Sequence, residues 1–448
     1  MMMDTMASQN HNGTEDSGQE NQPEKVVLVG VSFSGASGGE DEAERSLEEL
    51  ALLAESAGAV VVGTALQRRA KPEGATYVGK GKLQEIRDAC EALDAGTIIF
   101  DDELSGAQIR NIEDATGRKI IDRTLLIMDI FAGRAKSREG RLQVELAQQK
   151  YRLSRLVGMG KSLSRLGGGI GTRGPGESQL ESDRRHIARR VKILSDAIAE
   201  VRVQRQRTRD ARRQEDVFSI AFVGYTNAGK STLINALCDS ELYTEDRVFA
   251  TLDPAVRRLP LDAGLQTVAV DTVGFIRKLP HHLVDAFKST LEEAAQADMI
   301  VHVVDAADPD RLRHMEVVEE ILQELGAAEQ PRITVFNKID RVEPALTESV
   351  LTMPGTHAPE NVLEVSAVTG RGLDRLRALL RERVGAGTVR IRVRIPYAES
   401  GMMDELHRTA RILSVVYRDD AIEAEIVIPP SRMSRVSAYR IRENETHI

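Results

Sequence analysis

Tryptophan is absent from this 448-residue chain, and only two cysteines, Cys90 and Cys238, occur. That leaves no disulfide framework and no cysteine-rich metal cluster, and it fits a reducing compartment. Aromatic residues make up only 4% of the chain. No apolar run approaches the roughly 18 residues a membrane span needs. The first 25 residues, rich in Gln, Asn, Gly and Glu, carry no apolar core of a signal peptide. Neither a lipidation motif nor a basic amphipathic anchor speaks for membrane recruitment. A cytoplasmic protein is expected. The net charge of −9 would argue against nucleic-acid binding only if charge were spread evenly, and it is not.

The length predicts two to four domains, and composition and periodicity place them. Residues 1–24 are polar and aperiodic, which predicts a disordered extension. From 25 to 134, the buried-strand runs VVLVGV, AVVVGT, TIIF and KIID alternate with helical stretches at 46–57, 82–93 and 105–116. Such alternation predicts an α/β domain. Residues 135–213 predict an antiparallel helical hairpin. Its first arm, 141–157, carries a stripe of Leu142, Leu146, Leu153 and Leu156 interrupted at Gln149. Its second arm carries a seam of Ile187, Val191, Leu194, Ile198 and Val201. Between the arms lies a glycine-rich stretch, LSRLGGGIGTRGPGESQLE at 163–181. The second arm is basic, with eleven Arg/Lys against three acids over 184–213. On residues alone, such a run is better explained by a solvated helix face. Strand–helix alternation resumes over 214–387 and predicts a domain with a mostly parallel sheet. Residues 388–448 predict a small α+β domain, opened by VRIRVRIP, whose alternation buries one face and exposes arginines.

The chemistry is carried by GYTNAGKS at 224–231, between the strand FSIAFV and the helical run STLINAL. This is a phosphate-binding loop in its required strand–loop–helix context. Gly224 and Gly229 permit a path that turns the amides of Tyr225, Thr226, Asn227 and Ala228 toward one centre. Those amides and the helix amino terminus, with Thr232 behind it, cradle phosphate oxygens. Lys230 adds charge at the β/γ-phosphates, and Ser231 offers a hydroxyl to Mg²⁺.

NKID at 337–340 names the base. Asp340 can accept from the ring N–H and exocyclic amine of guanine, a donor pair adenine lacks. Asn337 can reach the opposite base edge, the Lys338 stem can cover a ring face, and Ile339 completes the turn. Ser366, Ala367 and Val368, at the end of VLEVSA, are placed to offer backbone N–H groups to the guanine carbonyl. DTVG at 271–274 supplies Asp271 toward Mg²⁺, Thr272 and Val273 between, and the Gly274 amide toward the γ-phosphate. FATLDP at 249–254 brings Phe249, Ala250, Thr251, Leu252 and Asp253, with Thr251 as second hydroxyl on Mg²⁺ and Thr244 its rival. Lys230, Thr251, Asp271 and Gly274 are the expected catalytic set, and GTP/GDP with Mg²⁺ the expected cofactors. Both loops would be ordered by the γ-phosphate and released on hydrolysis. The residue after DTVG is Phe275, where many GTPases use glutamine to orient water. Slow intrinsic hydrolysis, completed by a partner, is expected.

GYTNAGKST, FATLDP, DTVGFIRKLP, NKID and GGGIGTRGPGESQLE occur in one chain. Over roughly 25–384 this combination resembles the HflX family of P-loop GTPases. The resemblance implies association with the large (50S-type) ribosomal subunit, stimulation by ribosomal proteins, and a role in splitting, rescue or biogenesis, especially under stress. It implies a monomer in the cytoplasm, bound to ribosomes, with at most a peripheral membrane fraction. It also turns the hairpin into an RNA probe: Arg165, Gly167, Gly168, Gly169, Arg173 and Gly174 at the tip become the expected rRNA contacts.

Two other functions compete. One is a nonribosomal signalling GTPase. The other is an ATP-dependent RNA-remodelling protein with a site in the first domain, for which YVGKGK (77–82) and FDDE (100–103) are the only signals. A plain helix start explains the first better, and structural acids the second. His281 and His282 read as surface histidines, and Cys238 as a small apolar filler.

Overall fold

The computed structural model describes residues 23–33, 39–163, 175–214, 217–238, 249, 255–261, 266–278, 293–342, 361–386 and 388–441. Residues 1–22 of the expected disordered extension, the glycine tip at 164–174, Thr244, residues 250–254 and the pair His281/His282 lie outside them; Glu24, at the end of that extension, accepts from the Val60 N–H at 2.9 Å.

The first sheet is built from β1 (Lys25–Phe33), β2 (Val60–Arg69), β3 (Thr97–Phe100) and β4 (Lys119–Asp122), in the order β2-β1-β3-β4 and parallel throughout. Helices α1 (Gly39–Ser56), α2 (Lys80–Leu93), α3 (Gly106–Thr116) and α4 (Arg123–Arg134) alternate with the strands. Strands covered on both faces need no polar side, and β1 shows the consequence. Val26 and Leu28 enter a core with α1 and α4, whereas Val27 and Val29 enter a second with α2. Helix α2 starts inside YVGKGK, with Gly79 as its cap. A capping box of Ser105 and Gln108 starts α3, and Gly117 in the left-handed region ends it.

The hairpin is formed by α5 (Arg138–Leu163) and α6 (Pro175–Gln214). The glycine-rich loop is therefore shorter than the expected 163–181. Helix α6 already begins at Pro175, whose fixed φ and missing N–H suit a first helical position. Leu142 and Leu146 pack against Val191, Leu194 and Ile198. Ion pairs Glu145–Arg190 and Glu139–Arg205 set the antiparallel register.

The second sheet contains β5 (Phe218–Val223), β6 (Ala255–Arg258), β7 (Thr267–Asp271), β8 (Met299–Asp305), β9 (Arg332–Asn337) and β10 (Val362–Glu364), in the order β10-β9-β8-β5-β7-β6. Only the short β6 runs antiparallel to its neighbour. Helices α7 (Lys230–Cys238), α8 (Arg311–Glu324) and α9 (Leu373–Gly385) accompany it. The last unit has β11 (Val389–Pro396), α10 (Gly401–Thr409), β12 (Arg411–Tyr417) and β13 (Ala421–Ile428) in an antiparallel sheet ordered β11-β13-β12. Ile391, Val393 and Ile395 face its core, and Arg390, Arg392 and Arg394 face out, as the alternation requires.

Candidate functional site

The loop between β5 and α7 leaves the carboxyl end of a central strand, where a parallel sheet opens a crevice. Two glycines fix its path. A Cβ on Gly224 would stand 2.2 Å from the Val303 carbonyl oxygen of β8. Gly229 has φ +87°, and a Cβ there would stand 2.3 Å from Asn337 Nδ2. Helix α7 points its amino terminus into this loop. Lys230 is buried, and its Nζ donates to the carbonyls of Gly224 (3.1 Å) and Tyr225 (3.0 Å). Burial lowers its pKa to about 8, although Asp271 pulls the other way. Such an ammonium is thinly neutralised and gains from phosphate oxygens.

Ser231 Oγ donates to Asp271 Oδ2 at 2.6 Å. The pair brings two hard oxygen donors together at the start of α7, a set that suits Mg²⁺. Thr272 donates its hydroxyl inward to the Phe222 carbonyl at 2.7 Å, which locks DTVG onto β5. Gly274 lies tight against the loop, since a Cβ there would meet Thr226 Cα at 2.9 Å. Phe275 is 1% exposed and packs with Ala221 and Val223, so it offers nothing to a water molecule.

Asn337 stands at the end of β9 and is buried. Its Nδ2 donates to the Ala228 carbonyl, and its Oδ1 accepts from the Ala367 N–H, both at 3.0 Å. It braces the phosphate loop against the loop after β10. The base-edge contact expected of it would fall to the second N–H of Nδ2. Lys338, at φ 64°, pairs with Asp305 at 2.8 Å. Ile339 is buried and anchors a short 3₁₀ turn that leaves Asp340 exposed. The amides of Ser366 and Ala367, expected at the guanine carbonyl, are held within the protein here. Ser366 N–H donates to the Arg371 carbonyl (2.9 Å), and Ala367 N–H is the one held by Asn337. The turn also bonds Gly370 N–H to the Ser366 carbonyl and Thr369 N–H to Ser366 Oγ. Closing it engages the Ser366 and Ala367 amides, and Val368 is left 78% exposed.

Phe249 is a further correction. Its side chain is not at the phosphates but buried in the first domain, with its ring edge-on to Phe131 at 4.6 Å. Thr251, the expected second Mg²⁺ ligand, and the tip residues Arg165, Gly167, Gly168, Gly169, Arg173 and Gly174 lie outside the described residues.

Sequence reasoning missed the contact between the first domain and the nucleotide loops. Arg277 pairs with Glu42 at 2.6 Å, and Lys278 with Asp101 and, at 2.9 Å, Asp102. Arg123, 2% exposed, joins Asp101 at 2.8 Å and Glu49. Arg45 reaches Asp310 at 2.6 Å. The acids of FDDE thus hold cations across a domain boundary. Charge at a strand end is visible in the sequence, but nothing local identifies the partners.

Residues 44–132 match the family model of a GTP-binding GTPase N-terminal region, 134–212 that of its middle region, and 219–338 that of a 50S ribosome-binding GTPase. GTPase HflX of Lacrimispora saccharolytica is 47% identical over 406 residues, 91% of this chain and 94% of that protein. GTPase HflX of Escherichia coli is 41% identical over 402 residues, 90% of each. Among solved structures, a GTP-binding protein from the archaeon Sulfolobus solfataricus in complex with GDP is 25% identical, covering 81% of this chain and 99% of that one at a TM-score of 0.42. Identity at this level extends over about nine-tenths of the chain and of each relative, and the chain therefore belongs to the HflX family of GTPases.

Proposed function

We propose that this GTPase is a nucleotide-driven switch that binds the large ribosomal subunit and acts in ribosome splitting, rescue or biogenesis, its hairpin contacting ribosomal RNA. GTP and GDP are its nucleotides and Mg²⁺ its cation. In this reading the loop 224–231 cradles the phosphates, with Lys230 at the β/γ oxygens and Asp340 accepting from guanine. Ser231 holds Mg²⁺ directly, Asp271 holds it through water, and Thr251 is the second hydroxyl. When bound, Mg²⁺ neutralises charge building on the phosphates during hydrolysis. Gly274 supplies an amide to the γ-phosphate, so its segment senses whether that phosphate is present. Phe275 supplies no water-orienting group, which supports a reaction completed on the ribosome.

The carrying observation for the ribosomal role is helix α6. Its 40 residues give a reach of about 60 Å. Arg184, Arg189, Lys192, Arg202 and Arg207 are exposed along it and pair with no carboxylate among the described residues. Unneutralised cations along a rigid rod suit RNA phosphates. The model of a 50S ribosome-binding GTPase, matched at 219–338, supports the same partner.

The test is co-sedimentation with purified 50S subunits in GTP-analogue and GDP states. Arg184→Glu/Arg189→Glu/Lys192→Glu should weaken binding at least about tenfold, reduce its salt dependence, and leave GDP affinity unchanged. Equal sedimentation of this variant and the wild type would sink the RNA-contact reading. Equal sedimentation in both nucleotide states would sink the switch.

A further inference from the structure

Tyr225, the second residue of the phosphate loop, has its side chain turned away from the phosphates and into the domain boundary. Its ring stacks on His314 of α8, with centroids 3.6 Å apart and planes 8° from parallel. Its hydroxyl donates to the Glu49 carboxylate of α1 and accepts from the Arg277 N–H at 2.9 Å. Burial and the neighbouring Glu49 raise its pKa, so the hydroxyl keeps the proton it donates. Glu49 is in turn held by Arg123, which Asp101 anchors.

The segment after DTVG is joined to the phosphate loop at three points. Phe275 N–H donates to the Gly224 carbonyl (3.1 Å), and Thr226 N–H to the Phe275 carbonyl (2.8 Å). The third point is the Arg277 amide on the Tyr225 hydroxyl, and it alone depends on a side chain. With an inert phenyl at 275, placement of the Gly274 backbone carries more of the catalytic geometry.

We propose that Glu49 and Tyr225 are a positioning pair for GTP hydrolysis: Glu49 fixes the Tyr225 hydroxyl, which sets the Arg277 amide and so the place of the Gly274 amide at the γ-phosphate. This rests on the reading of Gly274 given above. The first domain thereby contributes a side chain to the geometry of the reaction without touching nucleotide.

The test uses the full chain. Tyr225→Phe keeps the ring and its stack on His314 and deletes only the hydroxyl. Single-turnover hydrolysis should slow by about three- to tenfold, the worth of one hydrogen bond, while GDP affinity moves less than about twofold because no nucleotide contact is lost. Glu49→Ala should slow it to the same level, and Glu49→Gln, which keeps an acceptor, should restore most of the rate. Glu49→Ala/Tyr225→Phe should be no slower than either single variant. An unchanged rate in Tyr225→Phe, a GDP affinity that falls in step with the rate, or losses that add in the double variant would each overturn the proposal. Failure of the underlying reading looks different: a backbone ester at 274, which removes the N–H without adding a Cβ against Thr226, would then hydrolyse GTP at the wild-type rate.

Discussion

Gly229→Ala is the substitution whose effect the structure fixes most tightly. Two penalties act together. Backbone at φ +87° is unfavourable for any residue with a Cβ, costing about 1–2 kcal/mol. The new Cβ would also fall 2.3 Å from Asn337 Nδ2, far inside contact distance. Asn337 must swing away and lose its bonds to the Ala228 carbonyl and from the Ala367 N–H. Each is worth about 0.5–1.5 kcal/mol, so the total is roughly 2–5 kcal/mol. At about 1.4 kcal/mol per decade, a central value near 3 kcal/mol weakens nucleotide binding roughly a hundredfold. Fluorescent-GDP titration measures this, and thermal melting checks that the variant is folded. A second background separates the two penalties. Asn337→Ala removes the atom that the added methyl would strike, so there the further loss from Gly229→Ala should shrink to the backbone part, about tenfold. A GDP Kd within threefold of wild type for Gly229→Ala, or equal penalties in both backgrounds, would refute the steric account.

Asp340→Asn should weaken GTP and GDP binding by about a hundredfold, because two hydrogen bonds to a charged acceptor are lost. A xanthine nucleotide, with a carbonyl where guanine has its amine, should bind the variant better than it binds wild type; competition titration reads both. Phe275→Gln should not accelerate intrinsic hydrolysis beyond about twofold and should destabilise the fold by about 1–3 kcal/mol, since the amide enters an apolar cluster. A marked gain in phosphate release would show instead that position 275 reaches the water. Burial pushes the Asp101 carboxyl up, but Arg123 and Lys278 outweigh it and hold it below the usual range. Its contribution to stability is therefore present above the unfolded value, about pH 3.9, and lost as pH falls through the lower folded value. Asp101→Asn should be clearly less stable than wild type in urea melts at pH 7, and the gap should narrow by about pH 3. A gap of equal size at both pH values would contradict the assigned pairing.

How much can be read from residues depends on how far apart the interacting groups lie in the chain. The phosphate loop, DTVG and NKID are short motifs whose residues act as contiguous units, and their order along alternating strands and helices places them at one sheet end. The apolar runs of β1, β3 and β4 likewise show themselves, because a strand covered on both faces is apolar throughout. Helix α4 is harder to see. Leu126, Ile127, Met128, Ile130 and Phe131 are buried, and the exposed face carries one charged side chain, Asp129, beside Ala132 and Gly133, so little polar periodicity marks the helix. Pro175 looks like a breaker in a glycine stretch, although at a first helical position it is a starter. The amides of Ser366 and Ala367 are expected at the base because they follow a strand. Only the three-dimensional turn shows that Arg371 and Asn337 already hold them. Glu49 is the clearest case. In SLEELALL it is one more acid on an amphipathic helix, and its partner Tyr225 lies 176 residues away. No periodicity or spacing connects the two, yet together they decide where the backbone after DTVG rests. A short motif can specify which groups meet the nucleotide. How firmly those groups are held is set by residues such as Arg123, Asp101 and Glu49, whose charges have meaning only once the first domain is folded against the second.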